Sequence, residues 1–401
     1  MTSGSGDGYS WRLRVYPLAI LTALALALLL ATVRYDVDDP ASRLGGDYPT
    51  FYGAGAIAAS GEWDQLYDAG RQQQEQAGLI NDEGGYLYFA YPPFAAAVYG
   101  LLTHLGYRWA FLLHTVLMAL ALAGAIAALQ PWLRWTRLQK PALLVIALAF
   151  YPVFAGVVGG QNVALSLLLF SAAARLDHDD RAFLAGLVAA LLLYKPQFGV
   201  VVLPLLLVAR RWRALAGWAT GAITLFVVST LLMGGSWLGD WWGQAGDFSS
   251  LNVVANGPNF ISFPGFLANS LGAGSRLAET IGYGLALLVA LAVAREWWRF
   301  PHDAALWRWG LAAAAAMAVA PQTLFYDGGL LLPALVVVAT SWRRVAPVVA
   351  ALIAISWLQL GKETLGWSPL GPIGLAALAY LLLRGRPGTS NAAAGPASQS
   401  S

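Results

Sequence analysis

A carboxylate in a conspicuous position is the first candidate for chemistry in this chain. Asp47 follows the first strongly apolar stretch and precedes Pro49, a residue suited to the first turn of a helix. The partial positive charge at a helix N-terminus favours an ionised carboxylate, which is the form that a general base requires. The alternative is that Asp47 only caps the helix or forms a turn after Gly45 and Gly46. The acidic cluster at 36–39 is interpreted as a solvated turn.

Lys195 is the second candidate, because it lies between two apolar runs and has no acidic neighbour in sequence. A cation in that position needs an anionic partner, and a phosphate held near a membrane surface would serve. The alternative is that the side chain extends to the lipid headgroups. Asp327 is open to three interpretations: a second base, the partner of Lys195, or a helix-capping residue.

Further polar side chains interrupt apolar runs beside Gly or Pro, where they are costly unless they line a cavity. Together with tyrosines near Asp47, they form the set of predicted substrate-binding residues. That set is Tyr48, Tyr52, Tyr91, Gln161, Asn162, Gln197, Gln322 and Asp327. Cysteine is absent and the four histidines are not at ligand spacing, so no thiol nucleophile and no metal site are predicted.

Composition indicates what must hold these residues in place. Apolar residues make up 58% of the 401 residues and charged residues 11%, against about 25% charged residues in a soluble domain. The apolar segments are rich in Leu and Ala, as is typical of membrane helices. The sequence therefore predicts an all-α polytopic membrane protein with membrane lipids as neighbours and no nucleic-acid partner.

About twelve spans are predicted from the apolar segments. They are 18–33, 108–130, 141–157, 163–176, 182–194, 197–209, 215–233, 279–294, 305–320, 327–340, 345–359 and 369–383. Segment 92–104 is apolar but too short to cross the roughly 30 Å hydrocarbon core, so we predict a re-entrant or interfacial helix. The first span is expected to stay uncleaved, because Arg34 follows it instead of a small-residue cleavage site.

The distribution of basic residues predicts the orientation. With both termini in the cytoplasm, the inner loops carry 16 of the 24 Lys and Arg residues and the longer outer loops carry 7. Two outer loops are long, at 34–91 and 234–278. Asp47, Lys195 and the other candidates then share the outer face, where long loops usually carry function.

The predicted domain organisation is simple. Residues 11–386 form one transmembrane domain between disordered segments at 1–10 and 387–401. In the first outer loop, one helix is predicted from Pro49 to about Ser60, with Gly61 as its stop, and a second at 68–79. The second outer loop, with its Trp and Asn residues, is expected to be irregular and suited to binding a sugar or lipid headgroup.

Several motifs, taken in order, resemble a known family. After the first span come Asp47-Tyr48, an element from Gly61 to Tyr67, Tyr91-Pro92-Pro93, Gly160-Gln161-Asn162 and Lys195-Pro196. This order is similar to that of the integral-membrane glycosyltransferases of the GT-C class, family 87, which are polyprenol-phosphate-mannose-dependent α-mannosyltransferases. The similarity runs from about residue 17 to about residue 385. One departure is Gln322, where relatives often have a histidine.

The resemblance implies a GT-C fold with juxtamembrane helices in the first outer loop of a bacterial cytoplasmic-membrane protein. It implies a polyprenyl-phosphate sugar donor, usually mannose, and a lipid or glycan acceptor on the outer face. Asp47 would be the catalytic base, and we assign the departing phosphate to Lys195. No cofactor is expected beyond the donor. Rival readings are a transporter or flippase, with broken helices and a midplane site, and a non-catalytic envelope protein.

Overall fold

The computed structural model describes residues 46–79, 86–132, 144, 147–271, 275–302, 304–341 and 346–384. The predicted span 18–33, the acidic cluster at 36–39 and the terminal segments 1–10 and 387–401 lie outside the described residues. Most of predicted span 141–157 is also outside them, apart from its last part.

The described residues form α-helices, short 3-10 helices and connecting turns, without a β-strand. The α-helices, numbered α1 to α17 in chain order, are Tyr48–Ser60, Ala69–Gln76, Pro93–Thr103, Tyr107–Ala128, Tyr151–Val158, Val163–His178, Ala182–Ala190, Pro196–Val208, Trp212–Met233, Trp237–Ala255, Phe263–Leu271, Arg276–Arg299, Ala305–Val319, Leu332–Ser341, Ala346–Ser356, Lys362–Leu365 and Leu370–Arg384. The 3-10 helices are Trp63–Gln65, Leu191–Tyr194, Gly257–Asn259, Phe325–Leu331 and Trp357–Gly361. An antiparallel bridge joins Phe260 and Leu324.

Three of the described helices are long and apolar enough to cross a membrane. They are α4, α9 and α12, with 22, 22 and 24 residues, and each overlaps a predicted span. Most other predicted spans coincide with shorter apolar helices, such as α7 and α8, which are separated by the 3-10 turn Leu191–Tyr194. The described part of the chain is therefore all-helical and compatible with a membrane protein.

The described part of segment 34–91, the predicted first outer loop, contains the local structure that the sequence predicts. Helix α1 ends at Ser60, and Gly61 follows in the left-handed conformation (φ 81°) expected of a helix stop. Helix α2 is shorter than predicted, but its N-terminus is capped because Asp68 Oδ1 accepts the Arg71 backbone N–H at 2.8 Å. Helix α3 has 11 residues, about 16 Å of helix, which agrees with the short predicted element.

The prediction of an irregular segment at 234–278, the predicted second outer loop, is wrong, because most of the segment is helical. Helix α10 runs for 19 residues from Trp237 to Ala255, and α11 follows. The Trp and Asn residues of this segment suggested an irregular binding loop, yet no proline interrupts it before Pro258. The Trp241 indole N–H donates to the Ala90 carbonyl at 3.1 Å, so α10 contacts the end of the first outer loop.

Two packed regions hold the site. In the larger, α13 is buried along its whole length, with small residues throughout its centre. In the smaller, α1 packs on α3 and α4 through Tyr48, Phe51 and Tyr99. Gly55 permits this packing, since a Cβ there would lie 2.7 Å from the Tyr99 carbonyl carbon. Helix α1, with Asp47 at its start, is thereby fixed against the rest of the bundle.

Candidate functional site

Asp47 is held by its backbone against the turn that follows α5. Its N–H donates to the Gly159 carbonyl at 3.0 Å. Gly46 has φ +55°, and a Cβ at that position would lie 3.0 Å from Gly159 Cα. Both the backbone conformation and the close approach therefore call for glycine at 46. Asp47 occupies the N-cap position of α1, but its side chain makes no capping hydrogen bond, so capping alone does not explain the carboxylate.

Gln161 holds the Asp47 carboxylate. Its Nε2 donates to Asp47 Oδ2 at 2.6 Å. The backbone places it there, because the Gln161 N–H donates to the Gly156 carbonyl at 2.7 Å as the chain turns between α5 and α6. Gln161 is 4% exposed, and its Oε1 has no hydrogen-bond partner among the described residues. The amide therefore orients the carboxylate and keeps one buried acceptor atom available.

A cavity of about 240 Å³ opens beside this pair. Its lining residues come from the first loop, the α5–α6 turn, the segment after α10 and the segment before α14. They are Gly46, Asp47, Ala155, Gly159, Gln161, Asn256, Asn259, Leu324, Phe325 and Tyr326. The cavity is smaller than the roughly 300–1,000 Å³ of sites for drug-sized ligands, so it suits a group the size of one sugar ring.

Lys195 and Asp327 form a buried ion pair behind the cavity. Lys195 Nζ lies 2.7 Å from Asp327 Oδ1, and the two side chains are 4% and 2% exposed. Asp327 Oδ2 also accepts the Leu324 N–H at 3.3 Å, which caps the 3-10 helix Phe325–Leu331. Asp327 is therefore both the partner of Lys195 and a capping residue, which are two of the three interpretations that the sequence left open. Tyr326, a cavity residue, has its ring centroid 5.3 Å from the Lys195 ammonium.

Asn162 is engaged in the protein interior. Its Oδ1 accepts from the Tyr99 hydroxyl at 2.6 Å, and its carbonyl accepts from the Tyr194 hydroxyl at 2.9 Å. The Tyr194 hydroxyl also lies 2.6 Å from Ser166 Oγ. Asn162 is buried and does not line the cavity. In this structure it joins α3, α6 and the turn before Lys195.

The predicted tyrosines form an aromatic layer beneath Asp47 and do not line the cavity. Tyr48 is fully buried, and this burial raises the pKa of its phenol above the ordinary value. Its ring lies 5.0 Å from that of His114, whose Nε2 has no hydrogen-bond partner among the described residues.

Tyr52 packs edge-on against Tyr107 at 5.2 Å. Tyr91 lies 5.0 Å from Phe51 and stacks at 6.2 Å on Tyr194.

Gln322 belongs to a chain of amides that runs past the cavity. Its Oε1 accepts from Asn252 at 2.7 Å, and its Nε2 donates to Ser249 Oγ at 2.8 Å. Asn256 donates to Asn252 at 2.6 Å, and Asn259 donates to Asn256 at 3.3 Å. Gln197 is partly exposed at the start of α8 and is not among the cavity residues.

Lys362 completes that chain and was not singled out from the sequence. Its Nζ donates to Asn259 Oδ1 and lies 4.9 Å from the centroid of the Phe325 ring. Both contacted residues line the cavity. The sequence signal was weak, since Lys362 lies next to Glu363 in a short polar connection between two predicted spans.

At the opposite end of α6, a second polar cluster lies roughly 24 Å from the cavity end, given 16 residues of helix. Asp177 accepts from Arg211, from Arg308 and, at 3.1 Å, from the Trp309 indole. Arg211 also contacts His302 Nδ1 at 2.8 Å. This cluster joins α6 to the chain around α9 and α13 and contributes nothing to the cavity.

The comparison with protein-family models identifies one match. The model of glycosyltransferase family 87 matches residues 89–321, which include the α5–α6 turn, Lys195 and the amides from Asn252 to Asn259. The matched region is more than half of the 401 residues. Neither a curated protein nor a solved structure matches the chain.

Proposed function

The chain belongs to glycosyltransferase family 87, and on this premise we propose that it transfers mannose from a polyprenyl-phosphate donor to a lipid or glycan acceptor. The observation that carries the proposal is the Asp47 carboxylate at the cavity wall. It is oriented by a neutral amide, Gln161, and its side chain does not cap the helix that it precedes. A flippase, the alternative from the sequence, is not favoured by the family.

The proposed reaction is a single displacement with inversion at the anomeric carbon. Asp47 accepts the proton of the acceptor hydroxyl as its oxygen forms a bond to that carbon. The bond from the anomeric carbon to the phosphate oxygen breaks, and its electron pair leaves with the polyprenyl phosphate. A phosphate leaves readily, so no general acid is needed, and positive charge develops on the sugar as in other glycoside chemistry.

Gln161 serves two purposes in this proposal. Its Nε2 donates to Asp47 Oδ2, which orients the carboxylate at the cavity wall where the acceptor hydroxyl would bind. Its buried Oε1 is suited to accept a hydrogen bond from a sugar hydroxyl. Asn256 and Asn259, also in the lining, can hydrogen-bond further hydroxyls. Asn162 and Gln322 stay predicted sugar ligands, although each already bonds to protein groups.

Lys195 stays a predicted phosphate ligand under one condition. Its ammonium is paired with Asp327 inside the protein, so it would have to exchange that carboxylate for the phosphate. Breaking a buried pair is costly. While the pair stays intact, Lys195 and Asp327 stabilise the wall that carries Tyr326 and Phe325, and Lys195 would bind the phosphate only after releasing Asp327.

We propose that the protein has the GT-C fold with about twelve membrane spans. In this fold, α1 and α2 are juxtamembrane helices. Three long apolar helices and the family support a membrane protein. The bias of basic residues supports an outer position for Asp47 in a bacterial cytoplasmic membrane, with both termini inside. A donor carried by a membrane lipid would then reach the cavity from the outer leaflet.

The test is a transfer assay with the purified full chain in lipid nanodiscs. Polyprenyl phosphates labelled in mannose, arabinose or glucose are each mixed with an extract of envelope lipids and glycans, with and without EDTA. We expect labelled product from the mannose donor only, with inverted anomeric configuration and no effect of EDTA. Product formed only from the arabinose donor or only from the glucose donor would show that the transferred sugar is not mannose. The same protein reconstituted into vesicles provides the test of the alternative. If no sugar is transferred but the polyprenyl-phosphate lipid moves across the vesicle membrane, the result would support the flippase instead.

A further inference from the structure

Lys362 lies directly behind the cavity wall. It begins the four-residue helix α16, after the 3-10 helix Trp357–Gly361. Its ammonium donates to the Asn259 side chain and lies over the Phe325 ring, and both residues face the cavity. The side chain is 23% exposed. A charged group is therefore held beside the cavity without being sealed inside the protein.

The charge of Lys362 is less compensated than that of Lys195. Its ion pair is with Glu363 at 3.8 Å, and that carboxylate is 73% exposed, so the attraction is weakened by water. Burial lowers the pKa of the Lys362 ammonium, although Glu363 and Asp47 act in the opposite direction. A partly desolvated cation with a solvated partner gains from an anion brought into the cavity.

Lys362 also determines which side-chain atoms donate and which accept along the chain of amide hydrogen bonds. An ammonium has three donors and no acceptor, so Asn259 must present its oxygen to Lys362 and its Nδ2 to Asn256. Asn256 in turn donates to Asn252, and Asn252 donates to Gln322. The cation thus fixes which atoms of Asn256 and Asn259 remain to face a ligand in the cavity.

We propose that Lys362 binds the phosphate of the lipid-phosphate donor and that Asn259 positions its ammonium at the cavity wall. This rests on the proposed function, because the phosphate belongs to the donor. Lys362 then stabilises the negative charge that grows on the phosphate oxygen as its bond to the anomeric carbon breaks. Unlike Lys195, it can do so without releasing a buried carboxylate.

The experiment measures binding of a short-chain polyprenyl monophosphate to the full chain by calorimetry, with the matching polyprenol as the phosphate-free probe. The wild type is expected to bind the monophosphate at least about tenfold more tightly than the alcohol, as expected for a charge-assisted contact. Lys362→Gln should lose most of this preference, and Lys362→Arg should keep most of it. Arg276→Gln, which removes an exposed charge at the start of α12, should keep all of it.

The outcomes separate the two proposals. A wild type without preference for the monophosphate would overturn the polyprenyl-phosphate donor itself. A wild-type preference that survives in a folded Lys362→Gln variant would overturn only the role of Lys362. If the preference is lost instead in Lys195→Met/Asp327→Leu, whose buried pair is replaced by apolar groups, the phosphate cation is Lys195. Thermal unfolding of each variant confirms that the proteins compared are folded.

Discussion

Two carboxylates beside the same cavity have opposite surroundings. Asp47 is at the cavity wall and receives the neutral Gln161 amide. Asp327 follows the cavity residue Tyr326 in sequence, but it is buried and does not line the cavity. Its partner is the Lys195 ammonium. Asp327 is held by an ion pair inside the protein, whereas Asp47 lines the cavity and is oriented there by an amide. Under the proposed function, Asp47 takes part in the chemistry and Asp327 contributes to stability.

The cluster around Asp177 supports this division. There, a buried carboxylate is again bound by cations, Arg211 and Arg308, far from any cavity residue. Ion-paired carboxylates thus join helices at both ends of α6. Asp47 differs from both carboxylates in lining the cavity, and the following variants test whether that position is functional.

The largest expected effect is on the stability of Asp327→Asn. This change leaves the Lys195 ammonium buried without its carboxylate, which we expect to lower the free energy of unfolding by about 3–5 kcal/mol. Denaturant unfolding of the purified variant in detergent measures it. The control is Lys195→Met/Asp327→Leu, which should recover much of the loss because no charge remains buried. An unchanged unfolding midpoint in Asp327→Asn would contradict the claim that Asp327 stabilises the protein through its ion pair with Lys195.

A smaller effect is expected from Gly46→Val. Valine at positive φ is strained by about 1–3 kcal/mol, and its Cβ also meets Gly159 at 3.0 Å. Gly61→Val is the matched control, since Gly61 also has positive φ but open space around it. Both variants should lose stability, while transfer activity should fall further in Gly46→Val because Asp47 is displaced from Gln161. Equal activities at a temperature where both are folded would exclude a role for the Gly159 contact.

An effect of similar size, on activity instead of stability, is expected from Gln161→Met, which keeps the side-chain length and removes the donor to Asp47. A hydrogen bond to a charged group contributes about 1.5–3 kcal/mol. We therefore expect the transfer rate to fall by at least about tenfold while stability is retained. The double variant with Asp47→Asn tests the mechanism, because Gln161→Met should then have little further effect. Independent, multiplying losses would assign Gln161 a task other than orienting Asp47.

Local features of the fold were predictable from the sequence. Pro49 and Gly61 correctly bounded α1, and the shortness of 92–104 correctly predicted α3. The position of Asp47 before a helix identified it as a candidate, and a carboxylate partner for Lys195 was among the alternatives. The predictions for α1 and α3 succeed because each depends on neighbouring residues or on helix length alone. The partner of Lys195 was suggested by the general need of a buried cation for an anion, which does not identify the residue in advance.

Contacts across the chain could not be predicted in this way. The amide chain joins Asn252 to Gln322 over 70 positions and Lys362 to Asn259 over 103. No local pattern marks such pairs, because they depend on how the helices pack. Helix α10 was missed for a different reason. Its Trp and Asn residues suggested an irregular binding loop, whereas the segment is a 19-residue helix that contacts Ala90 through Trp241.

The central claim is that Asp47 accepts the proton of the acceptor hydroxyl, and single-turnover transfer by Asp47→Asn tests it most directly. The purified variant is loaded with labelled polyprenyl-phosphate mannose, mixed with acceptor, and compared with the wild type alongside thermal unfolding. We predict a transfer rate lower by about 10²–10⁴-fold, as for loss of a general base, with an unchanged unfolding midpoint. A folded Asp47→Asn variant that transfers mannose at a near-normal rate would contradict the account.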